Sequence, residues 1–156
     1  MLSRESMTQV QSEIAKYPPE HKSSAVMAVL RIAQEEHNWL SVPLMDYVAD
    51  LLGMRPIQVY EVATFYSMYD LKPVGRHKIS VCTNVSCMLC GSDAIVSHLE
   101  KRLGIKLGET TPDNKFTLKE VECLAACGGA PMFQIGKKYY ENLTPQKVDE
   151  ILAGLE

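Results

Sequence analysis

The sequence lacks the segments that would send a chain across a membrane or anchor it in one. Its first ten residues, MLSRESMTQV, contain no positive segment followed by an apolar run and no arginine-rich transit pattern. The longest stretches without Lys, Arg, Asp or Glu, 79–92 and 123–136, are too short and too polar to span a bilayer. We therefore expect a cytosolic product or a mature form, with no direct membrane insertion.

The chain also lacks a surplus of positive charge and any nucleotide-binding motif. Sixteen Lys and Arg oppose nineteen Asp and Glu, and basic residues are not in excess in either half of the sequence. Phosphate binding requires a basic face, so nucleic acid is not an expected partner. The nine glycines form no G-x-G-x-x-G motif and no phosphate loop, which leaves no sequence basis for a nicotinamide or flavin site in this chain.

The hydrophobic period changes near the middle of the chain. With 46% hydrophobic and 22% charged residues, the 156-residue chain is globular in composition and can form one ordinary core or two small ones. Apolar residues follow a helical period from about residue 7 to 69, and DLKPVGRH at 70–77 has the composition of a linker. The pattern predicts an α+β protein with two domains, 1–72 and 73–156.

The first half is predicted to be a small helical bundle. Its second helix is expected to be capped by Ser23 or Ser24. Its last helix is expected to begin at Pro56 and run through VYEVATFYSMY, whose aromatic residues belong either to the core or to a docking face for another subunit.

The second half has the period of a small mixed sheet. KISVC at 78–82 and FTLKEVEC at 116–123 read as strands, with a helix opened by Ser92 or Asp93 between them. MFQI and KYY form a predicted hairpin, and a last helix starts at Pro145. The order strand, helix, strand, strand, strand, helix is the minimal thioredoxin-like arrangement.

Five cysteines without a secretory signal favour metal or redox chemistry over a disulfide framework. Cys82 ends the first strand, Cys87 and Cys90 are expected in the loop that follows, and Cys123 and Cys127 lie at the end of the second strand. Both groups are therefore expected at one edge of the sheet, where four thiolates can converge. A structural zinc, a [2Fe-2S] cluster and a pair of disulfides all fit that arrangement.

The spacing of the cysteines leaves further alternatives open. Cys82, Cys87 and Cys90 with one distant cysteine match the plant-type ferredoxin spacing, which would leave Cys123 or Cys127 spare. Cys87 and Cys90 form a C-x-x-C pair where a thioredoxin-like enzyme keeps its redox dithiol. The glycines at 128 and 129 would let backbone N–H groups approach sulfur, as an anion nest requires.

Three motifs together resemble one known family. CTNVSC at 82–87, VECLAACGGAP at 121–131 and VYEVATFYSMY at 59–69 are similar to the thioredoxin-like [2Fe-2S] subunit of the NADH-dehydrogenase module of respiratory complex I. The resemblance covers nearly the whole chain and implies an N-terminal helical bundle followed by a thioredoxin-like [2Fe-2S] ferredoxin domain. It implies that the cluster ligands are Cys82, Cys87, Cys123 and Cys127.

By the same resemblance Cys90 is spare, since the family usually carries another residue there. The resemblance further implies a partner, a larger subunit that binds NADH and FMN, with other iron-sulfur subunits beyond it. The cluster would then exchange single electrons with that FMN, and the chain would be a subunit of an oxidoreductase with no catalytic residues of its own. It would lie on the inner, cytoplasmic face of an energy-transducing membrane through its partners.

Two other functions remain alternatives to this one. The first is a stand-alone thiol-disulfide oxidoreductase that uses Cys87 and Cys90, and the second is an interaction module held together by zinc. The diaphorase modules of NAD-linked hydrogenases and formate dehydrogenases use similar subunits, so the resemblance alone does not separate them from complex I.

Overall fold

A computed structural model describes residues 1–155 of the chain, which fold into helices followed by one mixed sheet. The helices are α1 (Arg4–Ile14), α2 (Val26–His37), α3 (Val42–Leu52), α4 (Pro56–Phe65), α5 (Val85–Leu89), α6 (Ser92–Leu103) and α7 (Pro145–Ala153), with 3-10 turns at Pro19–Ala25 and Cys127–Gly129. The strands are β1 (His77–Cys82), β2 (Phe116–Val121), β3 (Phe133–Ile135) and β4 (Lys138–Tyr140). Within residues 1–155, none of the helices combines the length and the apolar character needed to cross a membrane.

The chain divides into two compact units, Met1–Pro73 and a second that begins at Val74. Each has its own hydrophobic core: one is formed by helices α1 to α4, and the other by the sheet with α6 and α7. We propose that the two units are separate domains whose boundary lies in the segment 70–77, close to the boundary expected from the sequence between residues 72 and 73.

The helical unit is built around residues that α2, α3 and α4 bury completely, among them Val29, Val48 and Val59. The expected serine cap of α2 is wrong. Ser23 and Ser24 lie inside the 3-10 turn, and α2 follows it directly without a side-chain cap. Carbonyls of the turn accept the N–H groups that a serine would have taken, as Val26 N–H donating to Ser23 O illustrates.

The aromatic segment at the end of this unit is divided between core and surface. Helix α4 stops at Phe65 because Tyr66 adopts an extended backbone, so the predicted helix through residue 69 is too long. Tyr69 is 4% exposed and its hydroxyl donates to the Met27 carbonyl, whereas Phe65 is 79% exposed. Tyr69 is therefore a core residue, and Phe65 is available for contact with another molecule.

The sheet has the strand order β2-β1-β3-β4, with β1 and β2 parallel and the remaining pairs antiparallel. Helix α6 connects the two parallel strands, as parallel pairing requires. It begins at Ser92 after Gly91, whose φ is +93°, so Ser92 is the first helical residue and neither it nor Asp93 is the N-cap. This confirms the predicted α+β class and the thioredoxin-like order of elements.

Candidate metal centre

Cys82 and Cys87 form a buried pair beside the carboxyl end of β1. Cys82 is the last residue of that strand, and Cys87 lies in α5 with 1% of its surface exposed. Helix α5 was not predicted, because the sequence placed Cys87 in a loop. Asn84 caps this helix by accepting the Val85 N–H through its side chain, and the turn that follows carries the Cys87 thiol inward, where it hydrogen-bonds to the Cys82 thiol.

The pKa of Cys87 reflects these surroundings. Burial raises it, the hydrogen bond and charge of Cys82 raise it further, and the result is a pKa of about 11. The Met132 N–H acts in the opposite direction and lowers it, while the charge of Cys127 raises it. A thiol group with these neighbours stays protonated near neutral pH, and a bound metal would supply the positive charge that stabilises its thiolate.

Cys123 and Cys127 reach the same edge of the sheet from β2. The parallel register places Val121 beside Cys82, so the residues after Val121 leave the sheet next to the buried pair. The Cys82 thiol contacts the Glu122 carbonyl, with the sulfur 3.8 Å from the oxygen. Unlike the first pair, Cys123 and Cys127 are exposed. The structure therefore brings the two predicted cysteine loops together.

The loop 122–127 directs backbone donors toward sulfur. Ala125 N–H donates to the Cys123 Sγ at 3.3 Å, and Ala125 has a φ of +56°, a left-handed conformation that is uncommon outside glycine. Hydrogen bonds to sulfur are among the interactions that set the potential of an iron-sulfur centre. Neither this donor nor the Met132 N–H beside Cys87 could be found from the sequence, because alanine and methionine carry no pattern that marks a left-handed turn or a sulfur donor.

A tyrosine from the hairpin holds this loop in place. The Tyr139 hydroxyl donates to the Leu124 carbonyl at 3.0 Å, although nearly half of the Tyr139 side chain is exposed. The sequence offered no sign of this contact, since an exposed tyrosine on an edge strand needs no special role.

We expect Tyr139→Phe to loosen the loop without unfolding the protein. Removing the hydroxyl should cost about 1 kcal/mol of local stability, which is the usual net value of a hydrogen bond. Metal release from the loaded protein to a chelator, followed by absorbance, should then become about threefold to tenfold faster. Tyr140→Phe is the matched control, because its ring packs on Phe133 and its hydroxyl is not part of this contact. Equal release rates for the two variants would contradict the anchoring role.

The two glycines after Cys127 have different structural roles. The Gly129 N–H donates to the Ala126 carbonyl, so the expected nest for sulfur is wrong at this residue. Gly129 is instead required by space, because a Cβ atom there would lie 2.5–2.7 Å from the Cβ, Cγ and Cδ atoms of Glu141. At Gly128 a Cβ atom would meet nothing within 4 Å.

Gly129→Ala should therefore be far more damaging than Gly128→Ala. Glu141 cannot move its Cβ atom away without moving its backbone, and Asn142 N–H donates to the Gly129 carbonyl at 2.7 Å. We expect Gly129→Ala to lower the free energy of unfolding by about 1–3 kcal/mol, a typical cost of overpacking. Gly128→Ala should stay near the wild-type value. Chemical denaturation of both variants tests this, and comparable losses would be against it.

The described groups fit an iron-sulfur centre by their chemistry. Cys82 and Cys87 form a small apolar cluster with Met132, against which Leu124 and Ala126 pack, so the buried pair is shielded from water. Two further thiols and two backbone N–H donors lie in the adjoining segments, and a [2Fe-2S] centre requires four thiolates with donors toward sulfur. Among residues 1–155, no three His, Cys, Asp or Glu side chains are gathered closely enough to hold a single metal ion.

Cys90 differs from the other four cysteines. It is exposed and forms the C-terminal cap of α5, where its N–H donates to the Ser86 carbonyl. A thiol-disulfide oxidoreductase keeps its attacking cysteine partly exposed with a lowered pKa. Cys87 is buried and its pKa is raised, so the Cys87 and Cys90 pair does not match that chemistry.

Comparisons with known proteins agree with this site. A sequence model described as thioredoxin-like [2Fe-2S] ferredoxin matches residues 10–156. The E-type subunit of the NADH-quinone oxidoreductase of Rickettsia conorii is 52% identical over 144 residues, covering 92% of this chain and 86% of the relative. A second E-type subunit of the same enzyme, from Rhizobium meliloti, is 48% identical over 144 residues, covering 92% and 84%.

Solved structures share the fold at lower identity. An NAD+-reducing [NiFe]-hydrogenase in its H2-reduced state matches with a TM-score of 0.71 and 19% identity, over 81% of this chain. The same enzyme in its air-oxidized state gives a TM-score of 0.70. This chain spans 22% of the hydrogenase chain that it matches. At this level of identity the likeness shows the fold alone.

Proposed function

Since the chain belongs to the thioredoxin-like [2Fe-2S] ferredoxin family, we propose that it is the electron-transfer subunit of an NADH-quinone oxidoreductase and that Cys82, Cys87, Cys123 and Cys127 hold its cluster. The observation that carries the ligand assignment is the parallel pairing of β1 with β2. It places the buried Cys82 and Cys87 beside the segment that bears Cys123 and Cys127. Relatives of about 50% identity, all named as subunits of that enzyme, support the host complex.

A bound [2Fe-2S] cluster would supply reversible one-electron transfer, which bridges the two-electron chemistry of NADH through a flavin able to give electrons singly. We place the FMN and the NADH in a larger partner subunit, because this chain has no nucleotide-binding motif. The contribution of this chain is to hold the four sulfurs, to shield the first pair from water and to aim backbone donors at them. Other iron-sulfur subunits would continue the path, and attachment to the inner face of the membrane would depend on these partners.

The proposal is tested first on the purified chain. Anaerobic reconstitution with iron and sulfide should give a red-brown protein with two irons and two acid-labile sulfides per chain, and with an EPR signal after one-electron reduction. Zinc, or no metal, in anaerobically purified material would contradict it.

The second test addresses the electron donor. Dithionite should reduce the isolated protein, whereas NADH should reduce it only after the larger flavin-containing subunit has been added. Reduction by NADH without that subunit would place a nicotinamide site in this chain and would overturn the assignment of partners.

A further inference from the structure

The hydroxyl of Ser92 is buried and has no partner. Ser92 is 0% exposed, and within residues 1–155 its Oγ atom meets no hydrogen-bond donor or acceptor. Buried polar atoms are nearly always paired, because an unpaired one loses its hydrogen bonds to water without replacement. The other buried side-chain atom of this kind in the described part of the chain is Nε2 of His77, at the opposite end of β1.

Ser92 lies where α6 meets the cysteine loops. It shares the buried face of this helix with Ile95 and Leu99, one and two turns further along. Because α6 leaves the carboxyl end of β1 and returns the chain toward the start of β2, its first turn lies at the end of the sheet where Cys82 is found. Helix α5, which carries Cys87, packs against α6 from the preceding residues.

We propose that the Ser92 hydroxyl donates a hydrogen bond to a sulfur atom of the bound [2Fe-2S] cluster and so raises its reduction potential. The inference rests on the proposed function, because the acceptor is the cluster. Reduction adds negative charge to the centre, and a donor directed at sulfur stabilises the reduced form more than the oxidised form. The position of the hydroxyl at the start of the twelve-residue α6 adds the positive end of the helix dipole to the same effect.

A purely structural serine would behave differently in the protein without its cluster. There the Oγ atom has no partner, so replacing Ser92 by alanine removes an unpaired buried hydroxyl and should leave the free energy of unfolding unchanged or higher. The same substitution in the loaded protein should remove a donor to sulfur. The proposal therefore requires opposite outcomes from one substitution in the two states.

The test is a potentiometric titration of the full reconstituted chain, with the reduced cluster followed by EPR. Ser92→Ala should lower the equilibrium constant for one-electron reduction by about threefold to tenfold, where tenfold corresponds to about 59 mV. Ser97→Ala makes the same chemical change at an exposed residue of α6 and should leave the potential at the wild-type value. Equal potentials for Ser92→Ala and the wild type would overturn the inference.

A further variant covers the case in which Ser92→Ala binds no cluster. Ser92→Thr keeps the hydroxyl, so cluster binding by this variant, together with its loss in Ser92→Ala, supports the donor role. Loss of the cluster in both variants, with the cluster-free proteins still folded, would show that the site requires the shape of serine and would overturn the proposal. Failure of the wild type itself to give iron-sulfur absorption would instead contradict the proposed function.

Discussion

Cys127→Ser is expected to abolish the visible iron-sulfur absorption, whereas Cys90→Ser should leave it at the wild-type intensity. Cys127 follows the loop whose Ala125 N–H is directed at the Cys123 sulfur, and its charge acts on the Cys87 thiol across the sheet edge. Cys90 is exposed at the end of α5. Loss of an outer-shell partner alone costs about 10–100-fold in metal affinity, so loss of a direct ligand should exceed that.

The comparison is measured by the iron and acid-labile sulfide contents together with the visible spectrum after anaerobic reconstitution. Circular dichroism of both variants checks that the fold is retained. The reverse pattern, with a colourless Cys90→Ser and a coloured Cys127→Ser, would show that the plant-type ligand set of Cys82, Cys87 and Cys90 is right and that our assignment is wrong.

Gly75→Ala is expected to destabilise the sheet unit by about 2–4 kcal/mol. Gly75 is buried just before β1, and a Cβ atom there would lie 2.8 and 2.9 Å from backbone atoms of Phe116 and 3.0 Å from the Lys115 carbonyl carbon. Backbone cannot rotate away as a side chain can. Separation of the two segments would also stretch the hydrogen bond from Gly75 N–H to Thr117 Oγ1, now 2.6 Å long.

Gly154→Ala is the matched control for this substitution. Gly154 ends α7 with a right-handed backbone, and an added Cβ atom would have its nearest neighbours at 3.6 Å. Alanine should therefore be neutral there or stabilising by up to about 1 kcal/mol. Denaturant unfolding of the full chain separates the two cases, and a Gly75→Ala variant as stable as Gly154→Ala would contradict the close approach.

The elements that the sequence predicted well are those with a strong period or a clear boundary. Alternation marked β1 and the hairpin, and the Gly104 that follows α6 marked its end, where it adopts a left-handed conformation. Helix α5 escaped prediction because five residues are too few to show a helical period. The start of α2 was wrong because its first N–H groups bond to carbonyls of the preceding turn, which leaves no signature in the side chains.

The candidate site was predictable in its cysteines but not in its surroundings. The position of each thiol relative to a strand end followed from the pattern, and the parallel pairing that joins the two loops agrees with it. The sulfur donors at Ala125 and Met132 and the space taken by Glu141 depend on tertiary geometry. The choice between ligand sets stays a prediction, because spacing alone admits both.

The parallel pairing of β1 with β2 also constrains the order of biosynthesis. The first two proposed ligands leave the ribosome well before Cys123 and Cys127, and β2 must be made before the second pair can lie beside them. During translation the nascent chain therefore exposes an incomplete thiol pair, and iron delivery has to await nearly finished synthesis. A cell that makes this protein needs a delivery route that acts on released chains.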